Sequence, residues 1–185
     1  MTELVTERLI LRPWRDADRA PFAAMNADRE VMRYFPSVLS RAESDASFDR
    51  IVAAFDRDGF TFFAVDERAQ SRFVGFVGIR TLGPDDPLHP GVEIGWRLVP
   101  DVWRRGYATE AARRSIALAW ERGLRELVGS TAALNLPSQR VFAKLGFARA
   151  AADDYGHPRI AQDHKLRPHV AYRLANLRRA APPDT

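Results

Sequence analysis

Along the chain the spacing of hydrophobic positions switches between alternation and helical recurrence, the mark of strands interleaved with helices. Residues 8–14 alternate and meet Pro13, predicting a first strand. Asp16 or Asp18 can cap a helix that runs to Ala27, and a short helical turn over 30–35 stops at Pro36. A helix is expected over 40–57, with Ala46, Phe48, Ile51, Val52 and Phe55 on its apolar side and Gly59 as its end. Strands over 60–65 and 73–82, joined by turn residues 66–71, suggest a hairpin, and a Pro/Gly-rich loop fills 83–91. Then come a strand over 92–99, a helix over 107–122 stopped by Gly123, and a strand over 126–132. A helix over 137–145 follows, with Pro137 in its first turn and Gly146 just past its end, then strands over 147–151 and 169–174 around a polar stretch. The order argues an α/β (α+β) class in one domain over 1–178, with a frayed tail over 179–185. The strand–helix–strand unit from 92 to 132 reads as a right-handed crossover between parallel strands.

The 185 residues suffice for one well-buried core. No cysteine occurs, which removes disulfides, thiolate metal sites and a cysteine nucleophile. The histidines lack metal-ligand spacing, so no metal site is expected. No apolar run approaches the ~20 residues of a membrane span, and the start lacks the pattern of a signal peptide. A cytoplasmic, non-membrane protein is therefore expected. The net charge of +4 comes almost entirely from arginine, because Lys144 and Lys165 are the only lysines. Its basic clusters are pairs such as Arg104-Arg105, Arg113-Arg114 and Arg178-Arg179, without the contiguous basic, aromatic-interleaved face that nucleic-acid binding needs.

The sharpest feature is the run Pro100-Asp101-Val102-Trp103-Arg104-Arg105-Gly106-Tyr107-Ala108-Thr109-Glu110. A strand ends, a basic turn with one glycine follows, and a helix begins at once. The first amides of a helix lack intrahelical partners and carry about half a positive charge, so such a turn attracts a phosphate or pyrophosphate. Gly106 and Ala108 let backbone approach the anion, and Arg104 and Arg105 add charge at its mouth. Behind the turn, Ala108, Ala112, Ser115, Ala119 and Gly123 form one small-residue side that can lie close to a sheet. Neither a P-loop nor a dinucleotide fingerprint matches.

Four pieces, in order, resemble the GNAT superfamily of acyl-CoA N-acyltransferases, and more narrowly its ribosomal-protein N-terminal acetyltransferase branch. They are Thr6 to Pro13, Val92-Glu93-Ile94-Gly95-Trp96, Trp103 to Ala111, and Asn135, Ser138, Val141 with Lys144-Leu145-Gly146-Phe147. The resemblance implies a mixed, splayed sheet of about six to seven strands flanked by helices, with acetyl-CoA in the splay, an amine acceptor that is a peptide N-terminus or a small amine, and room for a homodimer. It places the amides of Arg105, Gly106, Tyr107, Ala108 and Thr109 on the pyrophosphate, with Arg104 beside them. The edge formed by Trp96, Arg97, Leu98 and Val99 would take the pantetheine arm and acyl carbonyl, and Asn135 would bond the arm from the far side. Phe142 stands on the cofactor side where some members carry a proton-donating tyrosine, which phenylalanine cannot replace.

Acyl transfer to an amine needs a base, a stabilised oxyanion and a departing thiolate. Glu93, among apolar neighbours on the strand beside the thioester, is the candidate base, directly or through water; otherwise it is an arginine-paired glutamate. Ser138 is the candidate donor to the sulfur, or an ordinary first-turn serine, and Asn135 could equally be a helix cap. Phe35, Tyr155, His157 and His164 are acceptor-site candidates, while Trp14, Phe22, Trp120 and Phe147 read as core. The basic balance disfavours a polycationic acceptor, although Glu43, Asp45, Asp49, Asp153 and Asp154 keep one open. A non-catalytic acyl-CoA-binding module is the alternative, since it needs neither Glu93 nor Ser138.

Overall fold

A computed structural model describes residues 3–177. The pair Arg178-Arg179 and the expected tail over 179–185 lie outside the described residues. In chain order the elements are β1 (Leu4–Val5), β2 (Leu9–Arg12), α1 (Arg19–Ala27), α2 (Arg41–Asp58), β3 (Phe62–Glu67), β4 (Arg72–Thr81) and β5 (Val92–Leu98). They continue as α3 (Tyr107–Glu121), β6 (Glu126–Ala132), α4 (Leu136–Lys144), β7 (Ala148–Arg149), β8 (Tyr155–Gly156) and β9 (Pro168–Ala175). One sheet runs β1-β2-β3-β4-β5-β6-β9-β7, with β8 also paired to β9, and is antiparallel except for β5 beside β6.

The sheet has nine strands, not six to seven. The additions, β1 and β8, are two residues long and too short to carry an alternation. The helix ends follow sequence chemistry. Ser40 and Glu43 form a reciprocal capping box on α2, and Gly59 closes that helix in the left-handed region at φ 73°. Asn135 caps α4, with Pro137 in its first turn.

Asp18 does not cap α1. It is buried and accepts from both terminal nitrogens of buried Arg12 (2.7 and 2.8 Å), which also donates to Asp66 on β3 and to the Pro13 carbonyl. The inner stripe of α2 is also different from the expected one. Phe48, Ile51 and Phe55 pack inward, but Ala46 and Val52 are exposed, and buried Ser44 takes their place beside Asn26 of α1. A serine can sit there because the Asn26 amide satisfies its hydroxyl oxygen.

Two clusters cover the two sheet faces. Under α3 and α4 lie Leu11, Val65, Val77, Ile79, Ile94, Leu127, Phe142 and their neighbours. The small side of α3 is fully buried at Ala112, Ser115 and Ala119, which brings the helix axis close to the sheet. Under α1 and α2, Phe22, Phe48, Phe62 and Phe76 gather with Trp14, whose indole donates to the Phe62 carbonyl (2.7 Å). Each such ring contributes about 1.5–3 kcal/mol by burial, ample to fix two mostly polar helices on that face.

Candidate active site at the strand splay

β5 and β6 share one ladder pair, Glu93 with Val128, and then part. On its other edge β5 stays paired with β4 from Thr81↔Val92 to Gly75↔Leu98, and the Val99 amide donates to Val74 (3.0 Å). Antiparallel pairs alternate between bonded and non-bonded, so the backbone of Glu93, Gly95 and Arg97 faces β4 while that of Trp96 and Leu98 faces the gap. The Trp103 indole takes the Leu98 carbonyl (2.7 Å) and so ties the following turn to the end of β5. Phe142 of α4 is wedged behind the gap, between the Trp96 ring (centroids 4.7 Å apart) and Gly129 of β6.

The turn after β5 is held from both sides. Arg104 and Gly106 both take the left-handed conformation, with φ 61° and 84°. For arginine that is a strained choice, of the kind found where a backbone is shaped for a ligand. Among the described residues no group accepts the N–H of Arg104, Arg105, Gly106, Tyr107, Ala108 or Thr109; the first amide of α3 to be satisfied is that of Glu110, by Gly106. Arg8 donates to the Arg105 carbonyl (2.9 Å), lies over the Tyr107 ring and bonds Glu110. Glu110 also accepts from the Thr6 hydroxyl and the Arg8 amide. Burial would push its pKa up, but these bonds outweigh it and hold it below the ordinary value. Beneath the turn, buried Glu67 accepts from the Tyr107 hydroxyl (2.7 Å), which keeps that carboxyl low.

Glu93 and Arg97 present their side chains to the α1–α2 face, where Gly95 between them leaves room for the Phe62 ring. Burial raises the pKa of Glu93 above the usual carboxylate value despite its ion pair with Arg80 of β4. On β6, Ser130 shares a hydrogen bond with the Tyr155 hydroxyl (2.7 Å). The Tyr155 ring stacks on His169, and His157 lies 4.9 Å from His169. Burial lowers the pKa of both histidines, which favours neutral imidazoles. Tyr34 packs with Ala132, Ile160 and Leu166, while Phe35 covers Arg97, so the turn after α1 meets the late loop over the open end of the splay.

An acetyltransferase (GNAT) domain family matches residues 8–148. The chain belongs to the GNAT acetyltransferase family. It is 26% identical over 149 residues to the uncharacterized N-acetyltransferase YoaA of Bacillus subtilis, spanning 79% of this chain and 82% of that protein. Its fold is that of the ribosomal-protein-S5-alanine acetyltransferase from Vibrio fischeri (TM-score 0.76, 16% identity, 95% and 97% of the two chains). It is also that of the spermidine N-acetyltransferase from Vibrio cholerae, solved with CoA and spermine (TM-score 0.70, 15% identity, 92% and 96%). This GNAT chain is an acyl-CoA-dependent N-acetyltransferase.

Within this GNAT frame the expected site residues separate. Trp96 and Leu98 offer backbone to the gap, whereas the backbone of Arg97 and Val99 is spent on β4. Asn135 uses its oxygen to cap the Ser138 amide (3.3 Å) and its nitrogen on Thr131 (2.9 Å). Phe142 is not a lining residue but a fully buried core ring, stacked on Tyr172. The Ser138 hydroxyl donates to no protein group among the described residues. Tyr155 and His157 gather around His169, and Phe35 lies over Arg97. His164 is exposed in the outer loop, where its Nδ1 accepts the Leu166 amide (3.2 Å). Arg80 and Ser130 were missed, because only register places them beside Glu93 and Tyr155. Trp103, read as a motif residue, had no role assigned to its indole.

Proposed function

We propose that this chain transfers an acetyl group from acetyl-CoA to a primary amine by direct attack on the thioester. The observation that carries the reading is the conjunction of a strand edge open beyond Glu93 with uncommitted amides from Arg104 to Thr109. These groups fit the two ends of the donor. The amides and Arg104 and Arg105 suit a pyrophosphate, and the open backbone of Trp96 with the Leu98 N–H suits the amide-bearing arm and the acyl oxygen. The donor supplies the activated acyl group, and the protein's part is to orient it, exclude water and move one proton.

The acceptor reaches the thioester from the α1–α2 face. The ammonium first gives one proton to Glu93 directly or through water; the freed nitrogen bonds to the acyl carbon, the carbon–sulfur bond breaks, and the second nitrogen proton follows to the departing sulfur. A raised carboxyl pKa makes Glu93 a better base than a solvated glutamate, and Arg80 keeps it ionised often enough to act. CoA leaves as a thiolate with a pKa near ~8.5, which needs little help, and Ser138 is the candidate donor to it. The Vibrio relatives are named for a protein substrate and for a polyamine, so both a peptide N-terminus and a small amine remain acceptors to be tried.

Thermal unfolding with saturating acetyl-CoA, succinyl-CoA and free CoA tests the donor site. A ligand at a hundred times its Kd adds about 2.7 kcal/mol, and each kcal/mol moves Tm by roughly 2–4 °C in a domain of this size. A rise of several degrees is expected. No shift with any acyl-CoA would remove the reading.

A further inference from the structure

Arg97 is a half-buried cation that no carboxylate answers among the described residues. It lies on β5 past the last pair with β6, on the acceptor side of the sheet. Its Nη1 donates to the Asn26 oxygen, its buried Nε has no partner, and among the described residues it forms no ion pair. The guanidinium lies 4.2 Å from the centre of the Phe35 ring and 5.4 Å from that of Phe76. Most arginines beside the site have acidic partners, including Arg8, Arg72, Arg80 and Arg105. Burial alone lowers the Arg97 pKa to about 10, which still leaves it charged at neutral pH.

Stranding a charge in this way is unfavourable unless something else satisfies it. Its placement is also prepared. Asn26 is fully buried, and its nitrogen donates to Ser44 (2.9 Å), which fixes the oxygen towards Arg97. The fork is therefore held on one side through Nη1, while Nη2 keeps its protons for another acceptor and the buried Nε is left unsatisfied. Arg97 as a whole retains partial exposure, so a ligand can reach it. A guanidinium with its Nη2 edge uncommitted suits a carboxylate.

We propose that Arg97, oriented by Asn26 and covered by Phe35, is a carboxylate-binding subsite of the transfer cleft, so that one reactant carries a carboxylate away from the reacting atoms. That carboxylate belongs either to the acceptor, as in an amino acid or acidic peptide, or to a dicarboxylic acyl group on the donor. A polycationic acceptor is disfavoured by the same charge. The inference rests on the acetyl-transfer reading of the cleft.

The test measures CoA thiol release by the full chain and by Arg97→Met and Arg97→Lys. One arm uses acetyl-CoA with amino acids and dipeptides, each supplied as free acid and as C-terminal amide, and with spermidine. The other compares succinyl-CoA with butyryl-CoA on the uncharged amides. A preference of about 10–100-fold in kcat/KM for the carboxylate member is expected in one arm, the size of a charge-assisted bond. It should shrink to near unity in Arg97→Met and be intermediate in Arg97→Lys. These ratios do not depend on the folded fraction, so partial unfolding of a variant cannot imitate the result. Equal use of both members in both arms, a preference that survives in Arg97→Met, or no turnover of any carboxylate-bearing reactant overturns the subsite. If acetyl-CoA still raises Tm in that case, the subsite alone fails; if it does not, the transfer reading fails first.

Discussion

A Cβ on Gly129 would stand 2.5 Å from the Phe142 ring. Glycine on β6 thus admits the ring that stands behind the splay, and the gap depends on a side chain from α4 as much as on the strands beside it. Phe142 has no slack, being packed against Trp96, Phe147 and Tyr172. Gly129→Ala is expected to cost about 1–3 kcal/mol as an overpacked core. Denaturant titration reads the stability loss, and the Tm shift with acetyl-CoA, measured on the folded variant, should shrink as the gap is disturbed.

Glu93 gives a pH signature. A base must be deprotonated, and burial raises the pKa of this one, so kcat should fall on the acid side at a pH above the ordinary carboxylate range. Glu93→Gln should lower kcat by about 10²–10⁴-fold, the usual contribution of a general base, and abolish that acid limb. The acetyl-CoA Tm shift should remain. A variant with unchanged kcat would assign the carboxylate to the Arg80 ion pair alone.

The clamp between Arg8 and Glu110 predicts a stability gap with a defined pH range. The folded-state pKa of Glu110 is depressed, so its contribution is present above the unfolded value of about 4.3 and is lost as pH falls through the folded value. The Tm difference between the native chain and Glu110→Gln should be constant near neutrality and close in acid. Glu110→Gln should also raise KM for acetyl-CoA, because Arg8 would no longer be held against the Arg105 carbonyl. A gap that widens in acid would contradict the assignment.

Arg12 answers two carboxylates, Asp18 and Asp66, in the interior beside β2 and β3. Arg12→Met would leave both unpaired. A loss of about 3–5 kcal/mol is expected, read as a lower midpoint in urea, with the acetyl-CoA shift retained in whatever fraction folds.

Much of this arrangement can be read from local chemistry. The left-handed Gly106, the Ser40–Glu43 box and the Asn135 cap each depend on residues within a few positions of one another, and the crossover from β5 through α3 to β6 on three consecutive elements. Asn135 shows where such reading stops: cap and cofactor ligand are both consistent with its position, and the structure shows the cap, through its bonds to Ser138 and Thr131. Asp18 misleads in the same way, because Asp66, its co-partner on Arg12, comes from a strand far along the chain. Phe142 shows it again: a residue aligned with a proton donor lies inside the core.

By itself the sequence determined the order of elements, the anion-attracting turn and the reaction class, since these follow from hydrophobic period, turn chemistry and the ordered motifs from Thr6 to Phe147. Only the tertiary structure decided which groups face the gap. Strand register sets Arg80 against Glu93 and turns the backbone of Trp96 and Leu98 away from β4, and the 28–40 turn lays Phe35 over Arg97, which has no counter-ion among the described residues. Those relationships join residues distant along the chain, and burial, the physical quantity that makes each consequential, exists only once the chain has folded.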